Sequence, residues 1–215
     1  MDLLPAPATF IAFTAASLLL AATPGPDMTL SISRALSQGR GPALFVVLGT
    51  SLGIVVHTLL VAFGISALIT ASPTAFTILK TGGAGYLLWL AIRAVRVGSS
   101  FSDMPNTSAP KGACAWGNIS TGFWVNLLNP KVIIFFMTFL PQFVSAGDPD
   151  VTGKLVVLGL LFIVLGMPVN TIIVLAADKL SIWLRNNKRV LRGLDYTFAG
   201  VFSIFAAKIF MTQGR

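Results

Sequence analysis

Two stretches of this chain put a proline break and an ionisable residue inside apolar sequence long enough to cross a bilayer. The first is Thr23-Pro24-Gly25-Pro26-Asp27, and the second is Asn126-Leu127-Leu128-Asn129-Pro130-Lys131. Proline removes a helical donor and clashes with the preceding turn, so Pro24, Gly25 and Pro26, and again Pro130, predict helix breaks. In lipid a freed backbone group must be satisfied by protein or water, so broken helices persist only where they line a buried or watery cavity. A charge at that depth marks a functional site by default, and here the two charges, Asp27 and Lys131, have opposite sign. One break in each half of the chain is the arrangement of a transporter whose site lies between two repeats.

Composition fixes the class. Of the 215 residues, 55% are hydrophobic and only 10% charged, with a mean hydropathy of +0.85; a soluble domain carries about 25% charged residues. The chain reads as a polytopic membrane protein with the lipid bilayer as its surroundings. The net charge of +8 does not point to nucleic acid, because the basic residues sit in short loops between apolar spans. The single Cys114 excludes an intramolecular disulfide and a cysteine metal cluster, and it reads as a small packing residue. Met1-Asp2-Leu3-Leu4-Pro5 lacks the basic region of a signal peptide, so the first apolar stretch is expected to stay as a membrane helix.

A crossing helix needs about 20 apolar residues, and the sequence predicts six. They cover about Pro7–Thr23 (continuing past the break toward Ser33), Pro42–Ile69, Pro73–Val95, Trp116–Leu140 (broken at Asn129-Pro130), Leu155–Ala177 and Leu194–Met211. The expected fold is therefore all-α and integral to the membrane, with helices 1 and 4 broken at prolines. Arg34 and Arg40 fall in the first connection, and Arg93, Arg96 and Lys111 fall after helix 3. Lys179, Arg185, Lys188, Arg189 and Arg192 fall between helices 5 and 6; together these are ten of the fifteen Lys and Arg residues. The other side holds Asp2, the Ala71-Ser72 turn, Asp148 and Asp150. The positive-inside rule makes the three basic loops cytoplasmic and both termini periplasmic. Lys80, near the outer end of helix 3, snorkels.

The halves match weakly but in order. Helices 1 and 4 carry the breaks. Helix 2 has Gly53-x-x-x-His57 where helix 5 has Gly166-x-x-x-Asn170. Helix 3 contains Gly85 to Arg93 and helix 6 contains Gly200 to Lys208, each stretch a glycine, seven mostly apolar residues and a base. Three helices per unit force opposite orientations, which predicts two inverted three-helix repeats within a single transporter domain. The first repeat is about 1–98, the second about 113–215, and a polar cytoplasmic loop of about 99–112 joins them.

The break residues suggest chemistry. The N-terminus of a half-helix carries unpaired N–H groups and a positive dipole end. With Lys131 beside it, the start of the second half of helix 4 suits a substrate carboxylate. Asp27, the one carboxylate read near membrane depth, suits an ammonium or a proton, so the pair matches a zwitterion. The structural alternative is an Asp27–Lys131 ion pair that holds the repeats together. His57, the only histidine, is a candidate proton carrier or an interhelical hydrogen-bond partner. Asn126, Asn129 and Asn170 offer amides for capping or coordination, and Asn129 also suits the backbone groups freed by Pro130.

Gly49-Thr50-Ser51-Leu52-Gly53 matches a hydrolase pattern that requires a strand–turn–helix context, which a membrane helix does not provide. Ser51 and His57 point to different faces, so no catalytic residue is assigned. Gly49 and Gly53 read instead as a small-residue packing face, within the chain or in a homo-oligomer. Trp89, Trp116, Trp124 and Trp183 read as interface or packing residues.

Five landmarks occur in order along almost the whole chain. They are Ala22-Thr23-Pro24-Gly25-Pro26-Asp27-Met28, Gly49-x-x-x-Gly53-x-x-x-His57, Gly83-Ala84-Gly85-Tyr86-Leu87-Leu88-Trp89-Leu90, Gly122-Phe123-Trp124-Val125-Asn126-Leu127-Leu128-Asn129-Pro130-Lys131 and Phe139-Leu140-Pro141-Gln142-Phe143. In these the chain resembles the LysE/RhtB family of bacterial amino-acid exporters. The resemblance implies export of amino acids or derivatives such as homoserine, threonine, lysine, leucine or cysteine across the inner membrane, driven by protons and without a cofactor. The competing reading is a divalent metal exporter. Such a site wants several oxygen, nitrogen or sulfur ligands. Asp27 and His57 are too few, and Lys131 repels a cation, so no metal site is expected.

Overall fold

The computed structural model describes residues 7–97, 114–145, 147–179, 183 and 187–213. The polar loop at Ser99–Ala109 lies outside the described residues. No strand occurs among those described. The elements are α1 (Pro7–Ala22), α2 (Pro26–Gln38), α3 (Arg40–Ala71), α4 (Pro73–Val97), α5 (Ala115–Leu127), α6 (Pro130–Phe139) with a 3-10 turn at Leu140–Phe143, α7 (Val151–Leu175) and α8 (Lys188–Gln213).

Local chemistry sets these boundaries. Pro26 and Pro130 open α2 and α6 at the position where a missing N–H is harmless. Asn129 caps α6 by accepting from the Lys131 N–H at 3.0 Å, and Asp150 caps α7 by accepting from the Gly153 N–H at 2.7 Å. Gly39 ends α2 with φ at 92°, a conformation that L side chains rarely adopt, and α3 starts at the next residue. The connection between α2 and α3 is thus a single glycine. Arg34, counted with that loop by sequence, is instead buried inside α2. The helices also run past the predicted ends; α8 begins at Lys188 rather than Leu194, because a hydropathy reading stops at charges that a helix tolerates in an interface.

Among the described residues, α3 and α7 are long and apolar enough to cross a membrane alone. The α5–α6 pair, bent by 55°, is a third span if counted as one. Exposed Leu60, Phe63, Val164 and Ile172 on α3 and α7 are the apolar outer surface such a span turns to lipid.

The helices α3 and α5 pack in parallel: Gly122 lies against the Val46 carbonyl, Gly49 against the Ile119 carbonyl, and Gly53 against Asn126. The Gly49 and Gly53 face is therefore filled from within the chain. Helix α4 packs on α8, and α3 also packs on α7. Seven phenylalanines from α1, α6, the 3-10 turn, α7 and α8 (Phe13, Phe135, Phe136, Phe139, Phe143, Phe162 and Phe202) form one aromatic knot, with Phe135 and Phe139 stacked at 4.5 Å. It fills the space beside α6 and forms a wall of the cavity described next.

Candidate functional site

The two breaks meet. Asp27, in the first turn of α2, accepts at Oδ2 from Asn126 Nδ2 at 2.6 Å and at Oδ1 from Asn129 Nδ2 at 2.9 Å. Asn126 is the last polar residue of α5, and Asn129 begins α6. The second break therefore grips the carboxylate of the first. Both amides are buried, at 0% and 3% exposure, and hydrogen bonds to a charged acceptor are roughly twice as strong as neutral ones. Asn129 uses both ends of its amide, donating to Asp27 and capping α6.

Lys131 reaches back in the other direction. Its Nζ donates to the Thr23 carbonyl at 2.8 Å and to the Leu20 carbonyl at 3.3 Å. These carbonyls belong to the C-terminal end of α1, where the helix dipole favours a cation. No Asp27–Lys131 ion pair forms among the described residues, so the cation and the anion of the breaks are each held by the opposite strand of the crossing. Gly25 lies beside it, where a Cβ would stand in ordinary contact with Lys131 Nζ, at 3.4 Å.

A cavity of about 50 Å³ opens at this crossing, lined by Asp27, Asn126, Asn129, Lys131 and Asn170, and walled by Phe162. A water needs roughly 10–15 Å³ of such volume, so the cavity has room for a few waters and is smaller than an amino acid. Asn170 lies across from the breaks on α7, its amide donating to the Gly166 carbonyl at 3.2 Å. Thr50 and Ser51 also line the wall, but their hydroxyls are turned back to the Val47 carbonyl.

His57 sits behind this cavity. Its Nε2 is 3.4 Å from the Asn126 carbonyl, its ring lies against Phe136, and it forms the polar wall of a separate apolar groove of about 510 Å³ between α3, α4, α5 and α6. The interhelical contact is the geometry observed. Ser51 and His57 are accordingly apart.

Sequence reasoning missed two residues near the site and the partner of a third. Pro168 stands inside α7 between cavity-lining Met167 and Asn170; it lacks a charge beside it, the signal that marked the other two breaks. Asp195 on α8 is 3% exposed and close enough for its charge to act on Lys131. It follows the predicted helix start at Leu194 by one residue, so nothing in its sequence position marked it out beside Asp27. Gly53 lies opposite Asn126, and a Cβ there would stand 2.5 Å from Asn126 Oδ1.

Comparison with known proteins agrees with this architecture. The family model described as LysE type translocator matches residues 18–213. The homoserine/homoserine lactone efflux protein of Salmonella typhimurium is 29% identical over 199 residues, 92% of this chain and 94% of the relative. The leucine efflux protein of Klebsiella pneumoniae is 21% identical over 204 residues, 95% of each chain. The cysteine/O-acetylserine efflux protein of Salmonella choleraesuis is 33% identical over 138 residues, 64% of this chain and 67% of that one. No solved structure matches the chain. With the family model covering both breaks and every helix from the end of α1 onward, this multi-pass membrane protein belongs to the LysE type translocator family.

Proposed function

We propose that this chain exports amino acids or their derivatives across the bacterial inner membrane, with the substrate held where the two broken helices cross. One observation carries the reading: a carboxylate gripped by two asparagines and a lysine ammonium line the same small cavity. A zwitterion offers an ammonium to Asp27 and a carboxylate to Lys131, whose hydrogen bonds to Leu20 and Thr23 leave one N–H uncommitted. A metal cation would meet the Lys131 charge with no anion of its own to answer it. The efflux names of the relatives support the same substrate class.

The fold behind this function is six membrane helices in two inverted repeats, about 1–98 and 113–215, with basic loops cytoplasmic and both termini periplasmic. The contact of one break with the other supports it, since repeats crossing near the midplane bring their discontinuous helices together. Protons are the coupling ion. Asp27 can be neutralised by a substrate ammonium or by a proton, and that competition is the elementary requirement of exchange.

The test is efflux from cells loaded by dipeptide feeding. Overexpression is expected to accelerate loss of one or a few amino acids, and a protonophore to stop it. Asp27→Asn and Lys131→Ala are expected to abolish efflux while the protein still inserts. Full efflux by both variants would remove the site from this cavity.

A further inference from the structure

Arg34 is only 8% exposed, yet its Nε and Nη1 have no hydrogen-bond partner, and no carboxylate lies within ion-pair distance among the described residues. Asp178, an acid at that end of the molecule, lies 3.9 Å from Arg40 instead. Buried charges are otherwise paired in proteins, because leaving one without an anion is strongly unfavourable. Among the described residues no ion pair supplies one, and the buried hydrophobic cluster built on α2 includes Met28, Ile32, Ala35 and Val174.

The position of Arg34 is ordered. Asp27, Ser31 and Arg34 are four and three residues apart, on one face of α2. That spacing sets Arg34 about 10 Å along the helix axis from Asp27, toward the Gly39 end. On α5, which packs against α2, buried Asn118 lies two turns before Asn126 on the face shared with Gly122. Polar residues thus continue from the Asp27–Asn126 crossing toward the basic-loop end of the molecule and finish at Arg34, whose Nε and Nη1 have no partner among the described residues.

We propose that Arg34 forms a second, anion-binding station on the cytoplasmic side of the Asp27 cavity, which takes the carboxylate of the amino acid before it enters. The proposal rests on the export reading above. The separation from Asp27 is one that no α-amino acid bridges with its own two charges, so the residues act in succession. A guanidinium suits a carboxylate because its fork of donors matches the two oxygens.

The experiment uses the full chain reconstituted in liposomes, with homoserine and homoserine lactone as probes. Both carry the amine; the lactone has no carboxylate. Arg34→Gln is expected to raise KM for homoserine at least tenfold with kcat changed less than twofold. The KM for the lactone, or its inhibition constant as a competitor, should stay unchanged. Arg34→Lys, which keeps the charge without the fork, is expected to give a smaller rise that again spares the lactone, and it serves alone should Arg34→Gln not insert. Equal rises for both compounds, or a loss confined to kcat, would overturn the station while leaving export intact. A wild-type protein that moves neither homoserine nor any other amino acid would overturn the export reading and the station with it.

Discussion

Gly53 decides how near Asn126 comes to Asp27. With a Cβ at that position 2.5 Å from Asn126 Oδ1, Gly53→Ala must push the amide off its place. Displacements of about 1 Å at a binding constellation lose on the order of a hundredfold in rate. A tenfold or greater loss of efflux is expected, with normal insertion, whereas Gly64→Ala, whose Cβ would meet nothing within 4 Å, should transport like wild type. Asn129 allows its two roles to be separated. Asn129→Ala loses both the α6 cap and a donor to Asp27, and cap removal costs about 0.5–2 kcal/mol. Asn129→Ser keeps a capping oxygen, so it should melt above the alanine variant in detergent while both fail to transport. Outside the membrane, Asp148 sets a pH dependence. Burial pushes its carboxyl up, but Lys154 Nζ at 2.8 Å, the Ser145 N–H at 2.9 Å and the charges of Lys154 and Lys80 outweigh that and hold it below the usual 3.8. A folded value below the unfolded one stabilises above the unfolded value and is lost as pH falls through the folded one. The melting gap between wild type and Asp148→Asn should be constant above about pH 5 and close below about pH 4. The sequence singled out Asp27 and Lys131 as charges costly to keep in lipid, and Asn126 and Asn129 as amides beside the second break. It did not expose their pairing. Lys131 turns to the Thr23 and Leu20 carbonyls, acceptors that a tally of charged side chains leaves out.

At the scale of the element, α7 is the helix whose sequence conflicts with its shape. Pro168 has no N–H to give to the Val164 carbonyl, and an interior proline is roughly 3 kcal/mol less favourable than alanine. Its place beside Met167 and Asn170 on the cavity wall makes it the expected point of bending for α7 in the transport proposed above. Pro168→Ala should therefore raise the melting temperature in detergent and lower the initial rate of efflux. Unchanged stability would show that packing already carries the missing bond. The helices themselves were legible from hydropathy and proline position, because both report the cost of exposing polar groups to lipid. Their neighbours were not. Helices such as α3 and α7 are apolar on nearly every side, so no periodic stripe names the partner. Gly49 and Gly53 announced a close approach, but only the structure shows that α5 makes it, through Gly122 and the Val46 carbonyl.

For the whole molecule, the proposed binding of substrate in a cavity of about 50 Å³ requires that helices part before a substrate enters or leaves. The two ends are tied differently. At the end where α3 meets α4, Ser66 Oγ and Thr152 Oγ1 are 2.6 Å apart, Lys80 Nζ donates to the Val144 carbonyl at 3.1 Å, and Gln142 donates to the Lys80 carbonyl at 3.2 Å. At the opposite end the Arg40–Asp178 contact is long, at 3.9 Å, and its side chains are 60% and 68% exposed; exposed pairs of this kind are worth about 0–1 kcal/mol. Transport through the proposed cavity then requires the Ser66–Thr152 contact to part at some stage of the cycle. The hydroxyl contact gives a direct test, because two cysteines with side chains that close can bridge. Ser66→Cys with Thr152→Cys, in a Cys114→Ser background, should transport when reduced, stop when oxidised, and recover on addition of a thiol reductant. Substrate binding should survive oxidation, since the tie leaves the basic-loop end free to open. Undiminished transport by the oxidised protein would mean that α3 and α7 never separate there, and would move the exit path to the α4–α6 side, where Lys80 and Gln142 form the remaining ties.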